Sequence, residues 1–151
     1  MEIVRASLAQ ISDARVLLEE YYEAVHVVKR DSPDEVAGYL SDERGGLWVA
    51  YEDGMPVGCV VLRPLPTVEA ATECKRLYVL PEYRGRGIAE ALLDAMEEYA
   101  LGRGVKWIYL DSYDDLRAAI RIYVGRGYEP CERYNDNPQA TVFLRRNLRG
   151  G

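Results

Sequence analysis

No apolar run in the sequence approaches the roughly 18–20 residues that span a bilayer. The N-terminus, Met1-Glu2-Ile3-Val4-Arg5, has no basic region followed by an apolar stretch. Neither a membrane association nor a signal peptide is expected, and a cytoplasmic location is the default. Histidine occurs once, as His26. That argues against a histidine-rich zinc site and leaves His26 alone to serve in any Ser-His-Asp triad. The three cysteines, Cys59, Cys74 and Cys131, are odd in number and far apart. They make neither a disulfide framework nor a CxxC zinc pair and read as small buried hydrophobes. No metal is expected. Excess positive charge is also missing: 19 Lys and Arg stand against 25 Asp and Glu, a net charge of −6. Nucleic-acid binders usually carry a basic face, so no nucleic-acid partner is expected. The acidic balance fits a site that attracts cations, and fits simple solubility equally well. Internal repeats and low-complexity segments are absent.

What remains is an ordinary globular composition, 48% hydrophobic and 29% charged over 151 residues. That length suits one domain with its own core, spanning residues 1–151. Residues 2–6 read as a short strand. Ile11, Ala14, Leu18, Tyr21, Val25 and Val28 recur at helical spacing behind Ser12-Asp13. Ser32-Pro33-Asp34-Glu35 marks a second helix start, ending near Ser41. Two apolar runs, residues 46–51 and 57–63, flank Asp53-Gly54 and predict a β-hairpin.

Residues 70–80 form the next strand, but Cys74, Leu77 and Val79 cannot share one face of a regular strand. A β-bulge near Lys75–Arg76 would reconcile them. The strongest helix begins at Gly87, with Ile88, Ala91, Leu92, Ala95, Met96 and Tyr99 on one stripe, and stops at Gly102 and Gly104. A strand follows over 106–110, then a helix with Leu116, Ala119, Ile120 and Tyr123, then strands at 128–133 and 141–146. The order is β-α-α-β-β-β-α-β-α-β-β. Three consecutive strands call for a mixed α/β (α+β) sheet, not a fully parallel one.

Leu77-Tyr78-Val79 leads through Pro81 into Arg84-Gly85-Arg86-Gly87-Ile88-Ala89 and the strong helix. A helix N-terminus offers unpaired N–H groups and partial positive charge. Glycines let that backbone approach a ligand, and Arg84 and Arg86 add cationic reach. The combination is a pyrophosphate cradle. It is not a P-loop, since GxxxxGK[ST] is absent. Nor is it a dinucleotide fingerprint, since Glu90 stands where the third glycine of GxGxxG belongs.

Arg84-x-x-Gly87-x-Ala89 matches the [QR]-x-x-G-x-[GA] signature of the GNAT superfamily of acetyl-CoA-dependent N-acyltransferases. The run from Leu77 to Ile88 resembles the usual longer form of that motif. Ala119-Ile120-Arg121-Ile122-Tyr123-Val124-Gly125-Arg126-Gly127-Tyr128 is similar to the family's A-I-x-L-Y-x-x-x-G-F segment. The stretch from Leu77 to Tyr128 that carries both is about a third of the chain. The resemblance implies a mostly antiparallel sheet of about seven strands, splayed between strands 4 and 5, with about four helices.

It also implies roles. Leu77 and Val79 would meet the pantetheine arm through their backbone, with Tyr78 between them. Amides of Arg84, Gly85, Arg86, Gly87, Ile88 and Ala89 would take the pyrophosphate. Tyr123 falls where the family often has a tyrosine that protonates the departing thiolate, and it also sits on a core stripe. Glu73 lies six residues before Val79, where some members carry a catalytic glutamate; a water chain is the alternative base. The Val79 amide would form a one-donor oxyanion hole. Two positions depart from the pattern. Leu116 replaces a frequent Asn near the cofactor, and Tyr128 replaces the usual Phe.

The resemblance implies acetyl-CoA as cosubstrate and an acetyl transfer to a primary amine by direct attack. The acceptor is expected to be a small molecule. Family habit alone suggests a homodimer. A non-catalytic acyl-CoA sensor and a protein N-acetyltransferase are the alternatives. Tyr21, Tyr22, Glu19, Glu20, Glu23, His26 and Tyr134 to Asn137 could hold a cationic acceptor. The glutamates equally fit a solvated helix face, while Arg63 and Arg76 could receive a carboxylate.

Overall fold

The computed structural model describes residues 1–150. A seven-stranded sheet in the order β1-β2-β3-β4-β5-β7-β6 organises the molecule. β1 (Glu2–Arg5), β2 (Gly46–Glu52), β3 (Met55–Pro64) and β4 (Ala71–Val79) pair antiparallel. β5 (Trp107–Ser112) then runs parallel to β4, and antiparallel pairing resumes through β7 (Val142–Asn147) to β6 (Glu129–Pro130).

The strands around β3 are buried on both faces, so their sequences read as continuous apolar runs. Leu47, Val49, Cys59 and Val61 face one cluster, shared with α1 (Ile11–Ala24) and α2 (Pro33–Ser41). Trp48, Ala50, Val60 and Leu62 face the other, shared with α3 (Ile88–Gly102), Tyr123 of α4 (Arg117–Gly125), and Ile108 and Leu110 of β5. Strand alternation distributes these residues between the two cores.

Local chemistry accounts for most boundaries. Ser32 accepts from the Glu35 amide while Glu35 reaches back to the Ser32 amide, a reciprocal cap with Pro33 at the first helical position. Asp53 (φ 49°) and Gly54 (φ 78°) form the two-residue hairpin turn that needs left-handed backbone twice. α1 departs from expectation. A single 3₁₀ turn at Leu8–Gln10, capped by Ser7, already starts the helical path, so Ser12 and Asp13 lie inside it. The helix stops at Ala24, and Val28, expected on its apolar face, is 82% exposed. β6 is only two residues long, with Pro130 at a position whose nitrogen faces away from β7 and Cys131 donating to the Phe143 carbonyl at 2.9 Å just beyond it. Tyr128 donates to buried Glu97 at 2.8 Å, and Glu97 also takes Arg146 at 2.8 Å. The extra hydroxyl therefore has its partner.

Candidate active site

β4 carries the bulge. Cys59 pairs with Tyr78 and Val61 with Lys75, so Arg76 and Leu77 together oppose Val60. Arg76 takes φ 60° to make the offset. Cys74, Leu77 and Val79 consequently all reach the α3-side core, which an unbroken strand could not achieve.

The same strand leaves its other neighbour. β4 and β5 pair only at Ala71–Trp107, Thr72–Ile108 and Glu73–Tyr109. β5 stays with β7 as far as Ser112, so beyond Glu73 a gap opens along β4. The Leu80 amide points back to β3, donating to the Val57 carbonyl at 2.9 Å. Alternation therefore turns the Val79 amide toward the gap, and the Leu77 amide with it. The Val79 carbonyl is taken by Arg84 Nε at 2.9 Å. Its N–H has no protein acceptor among the described residues.

Past Val79 a 3₁₀ turn at Pro81–Tyr83 delivers the chain to Arg84, and Gly87 caps α3 with φ 79°. Gly85 is also left-handed, at φ 77°. A Cβ at either glycine would meet open space. The amides of residues 85–90 find no acceptor among the described residues. Arg84 and Arg86 are exposed on the same loop, and Arg86 lies 5.0 Å over the Tyr83 ring. A row of open amides at the positive end of a 15-residue helix suits a polyphosphate.

A cleft of about 450 Å³ runs from the gap outward. Leu77, Cys74, Leu116 and Tyr123 line its inner end; residues 27–31 and 135–140 form facing walls farther out. Tyr123 is 7% exposed, and its hydroxyl has no hydrogen-bond partner among the described residues. Burial, then Cys74, Tyr21 and Asp111, hold its pKa well above the ordinary phenol value. It therefore stays a neutral donor facing the cleft. Leu116 stands immediately before α4 without capping it. Arg84 and Tyr78 sit together outside the gap, the guanidinium 5.5 Å over the ring.

Glu73 occupies a different place from the one expected of a direct base. It is 3% exposed and does not line the cleft. Arg63 donates to one oxygen at 2.9 Å; Tyr134 and Asn135 donate to the other at 2.6 and 3.2 Å, with Lys75 Nζ at 3.7 Å. What sets it apart from a cleft carboxylate is its place behind the lining, with no face open to an acceptor. Asp111, which the motif reading passed over, lines the cleft together with Asp31, Glu35 and Asp136, and Asp31 is already paired with Arg76. Strand alternation offered the signal: Ile108 and Leu110 point into the core, so Asp111 points the other way. Asn135 donates to Asp111 at 2.6 Å and to Glu73 as well, and Lys75 lies 3.3 Å from Asp111. One asparagine and one lysine thus join an inner and an outer carboxylate.

The other acceptor candidates divide sharply. Glu19, Glu20 and Glu23 do not line the cleft; Glu20 accepts from Tyr78 and Glu23 pairs with Arg30. His26 and Tyr22 also lie outside the lining, whereas Tyr21 and residues 135–137 are in it. Arg63 is bound to Glu73 and Arg76 to Asp31 at 3.2 Å, so both guanidinium groups are already neutralised.

Comparison with known proteins agrees with this geometry. The family model described as Acetyltransferase (GNAT) family matches residues 11–128. An N-acetyltransferase of Archaeoglobus fulgidus is 34% identical, with 100% of this chain and 97% of that protein covered. An N-acetyltransferase of Schizosaccharomyces pombe is 30% identical over 90% of this chain and 86% of its own length. Rat N-acetyltransferases 8B and 8 also match, and the chain spans about half the length of each. A Salmonella typhimurium protein solved with its cofactor acetyl-CoA superposes with a TM-score of 0.77 at 17% identity, over 100% of this chain and 95% of that one. No helix among the described residues is long and apolar enough to cross a membrane.

Proposed function

Because the chain belongs to the GNAT acetyltransferase family, we propose that it transfers the acetyl group of acetyl-CoA to the primary amine of a small molecule, by direct attack within a ternary complex. Residues 1–151 act as one acetyltransferase unit in this reading. Acetyl-CoA supplies an activated thioester. The observation that carries the proposal is the row of open amides at residues 85–90 lying next to the splayed gap and the cleft that holds Tyr123.

Each residue then has a task. The open amides of 85–89, with the Arg84 and Arg86 side chains beside them, hold the pyrophosphate, while the Arg84 amide donates to the Pro81 carbonyl at 3.3 Å. The gap edge of β4, at Leu77 and Val79 with Tyr78 between them, binds the pantetheine arm as a strand would. The Val79 amide holds the acetyl oxygen as negative charge develops there. The amine nitrogen bonds to the acetyl carbon as the carbon–sulfur bond breaks. Tyr123 gives its phenolic proton to the departing sulfur. The ammonium proton of the acceptor leaves toward Asp111, a carboxylate that lines the cleft. Glu73 acts from behind, fixing Asn135, Tyr134 and Lys75 around it. A small acceptor suits the two enclosing walls and the modest cleft volume.

Calorimetric titration with acetyl-CoA, followed by a thiol-release assay over a panel of amines, tests the proposal. One acetyl-CoA bound per chain and amine-dependent thiol release support it. Binding without release on any amine would replace it by an acyl-CoA sensor.

A further inference from the structure

Two loops that are remote in sequence meet over the outer end of the cleft. Residues 27–31 line one side and residues 135–140 the other. A single side chain joins them. Gln139 Nε2 donates to the His26 carbonyl at 3.0 Å, and Gln139 Oε1 accepts from the Val28 amide at 3.1 Å. Both ends of one amide are thus used on the opposite wall, in the manner of a strand partner.

The wall that carries Gln139 is itself stiff. Arg133 donates to the carbonyls of Asn135, Asn137 and Ala140 at 3.3, 3.0 and 3.1 Å, and its guanidinium lies 4.6 Å over Phe143. Asn137 accepts from the Gln139 amide at 3.1 Å and donates to Asp111. The opposite wall is held separately at its far end. Arg76 donates to Asp31 and to the Lys29 carbonyl, and Tyr22 and Tyr39 donate to Asp31 as well. Before that anchor, at the Gln139 contact, His26 takes φ 55°, an uncommon conformation outside glycine. Nothing but Gln139 bonds the walls directly to each other among the hydrogen bonds of the described residues.

We propose that Gln139 determines which acceptors the enzyme admits: its amide closes the two walls into a ring that passes a slender aliphatic primary amine to Asp111 and turns away bulkier ones. This rests on the acetyl-transfer reading above. It adds a specificity-determining residue to that site and a substrate class, unbranched alkylamines. The Asp31–Arg76 anchor is independent of Gln139, so cutting the clasp opens the ring and leaves the loop attached.

The test compares butylamine with tryptamine, which has its bulk remote from the nitrogen, using acetyl-CoA as donor. Wild type should prefer butylamine. Gln139→Ala should raise the tryptamine-to-butylamine ratio of kcat/KM about tenfold, with KM for acetyl-CoA unchanged. Hydrogen exchange at the Val28 amide should accelerate in the same variant. Should the alanine variant fail to fold, Gln139→Glu keeps the acceptor for Val28, removes the donor to His26, and makes the same comparison. An unchanged ratio with turnover intact would overturn the role of Gln139, as would a wild type indifferent between the amines. Absence of turnover on every amine by wild type would instead overturn the acetyl-transfer reading beneath it.

Discussion

Tyr123 is a buried phenol whose hydroxyl has no hydrogen-bond partner among the described residues, and it lines the cleft. Tyr123→Phe should lower kcat about a hundredfold, the usual scale of a lost general acid, and leave acetyl-CoA affinity unchanged in calorimetry. Unaltered kcat would remove it from the mechanism. Asp111→Asn keeps the shape of the cleft and removes its charge. It should reduce kcat/KM for the amine by about a hundredfold without altering the KM for acetyl-CoA; an equal loss on both sides would mark a structural role instead. These two residues differ in how they could be read. Tyr123 lies on a helical stripe and in a motif, so its number alone placed it. Asp111 could be chosen over Glu73 only when the splay and the bonding of both carboxylates were known. Glu73 lies behind the cleft lining, held by Arg63, Tyr134 and Asn135, and those contacts join residues up to 62 apart in sequence. No local pattern records them.

At the scale of elements, the bulge in β4 and the loop after it do the positioning. Arg76 both makes the bulge and neutralises Asp31, whose side chain is 4% exposed. Burial alone would raise the Asp31 pKa, but Arg76 and the hydroxyls of Tyr22 and Tyr39 bring it below the usual carboxylate value. Arg76→Ala leaves that charge buried without a cationic partner, and chemical denaturation should show a loss of about 3–5 kcal/mol. Gly87→Ala acts elsewhere. A side chain at φ 79° strains the loop and projects into the open space before the helix, so acetyl-CoA affinity should fall in calorimetry while far-UV circular dichroism stays native. The bulge was legible because Cys74, Leu77 and Val79 conflicted with a regular strand. The start of α1 was not, because Ser7 and a 3₁₀ turn feed into it and Ser12-Asp13 imitates a cap.

For the molecule as a whole, the element order and sheet class were legible from apolar periodicity and turn residues, whereas the walls of the cleft depended on loops that periodicity does not reach. Buried Tyr78 and half-buried Tyr39 and Tyr51 bear on the molecule's stability at alkaline pH. Burial, with Asp31, Asp13 and Glu20 nearby, pushes Tyr39, Tyr51 and Tyr78 each up to about 12. In the unfolded chain they ionise near pH 10, at about the free phenol value. Folded pKa values above unfolded ones mean that stability holds below about pH 10 and falls as pH rises toward about 12. The melting temperature should therefore be level up to about pH 9 and drop beyond about pH 10; a level curve to about pH 12 would contradict it. The central claim is that the open amides after β4 form a coenzyme A site. Calorimetric titration of acetyl-CoA into wild type and Gly87→Ala tests it most directly. The account predicts one acetyl-CoA per wild-type chain and markedly weaker binding by the variant. No binding to wild type, or equal binding by both, would contradict it.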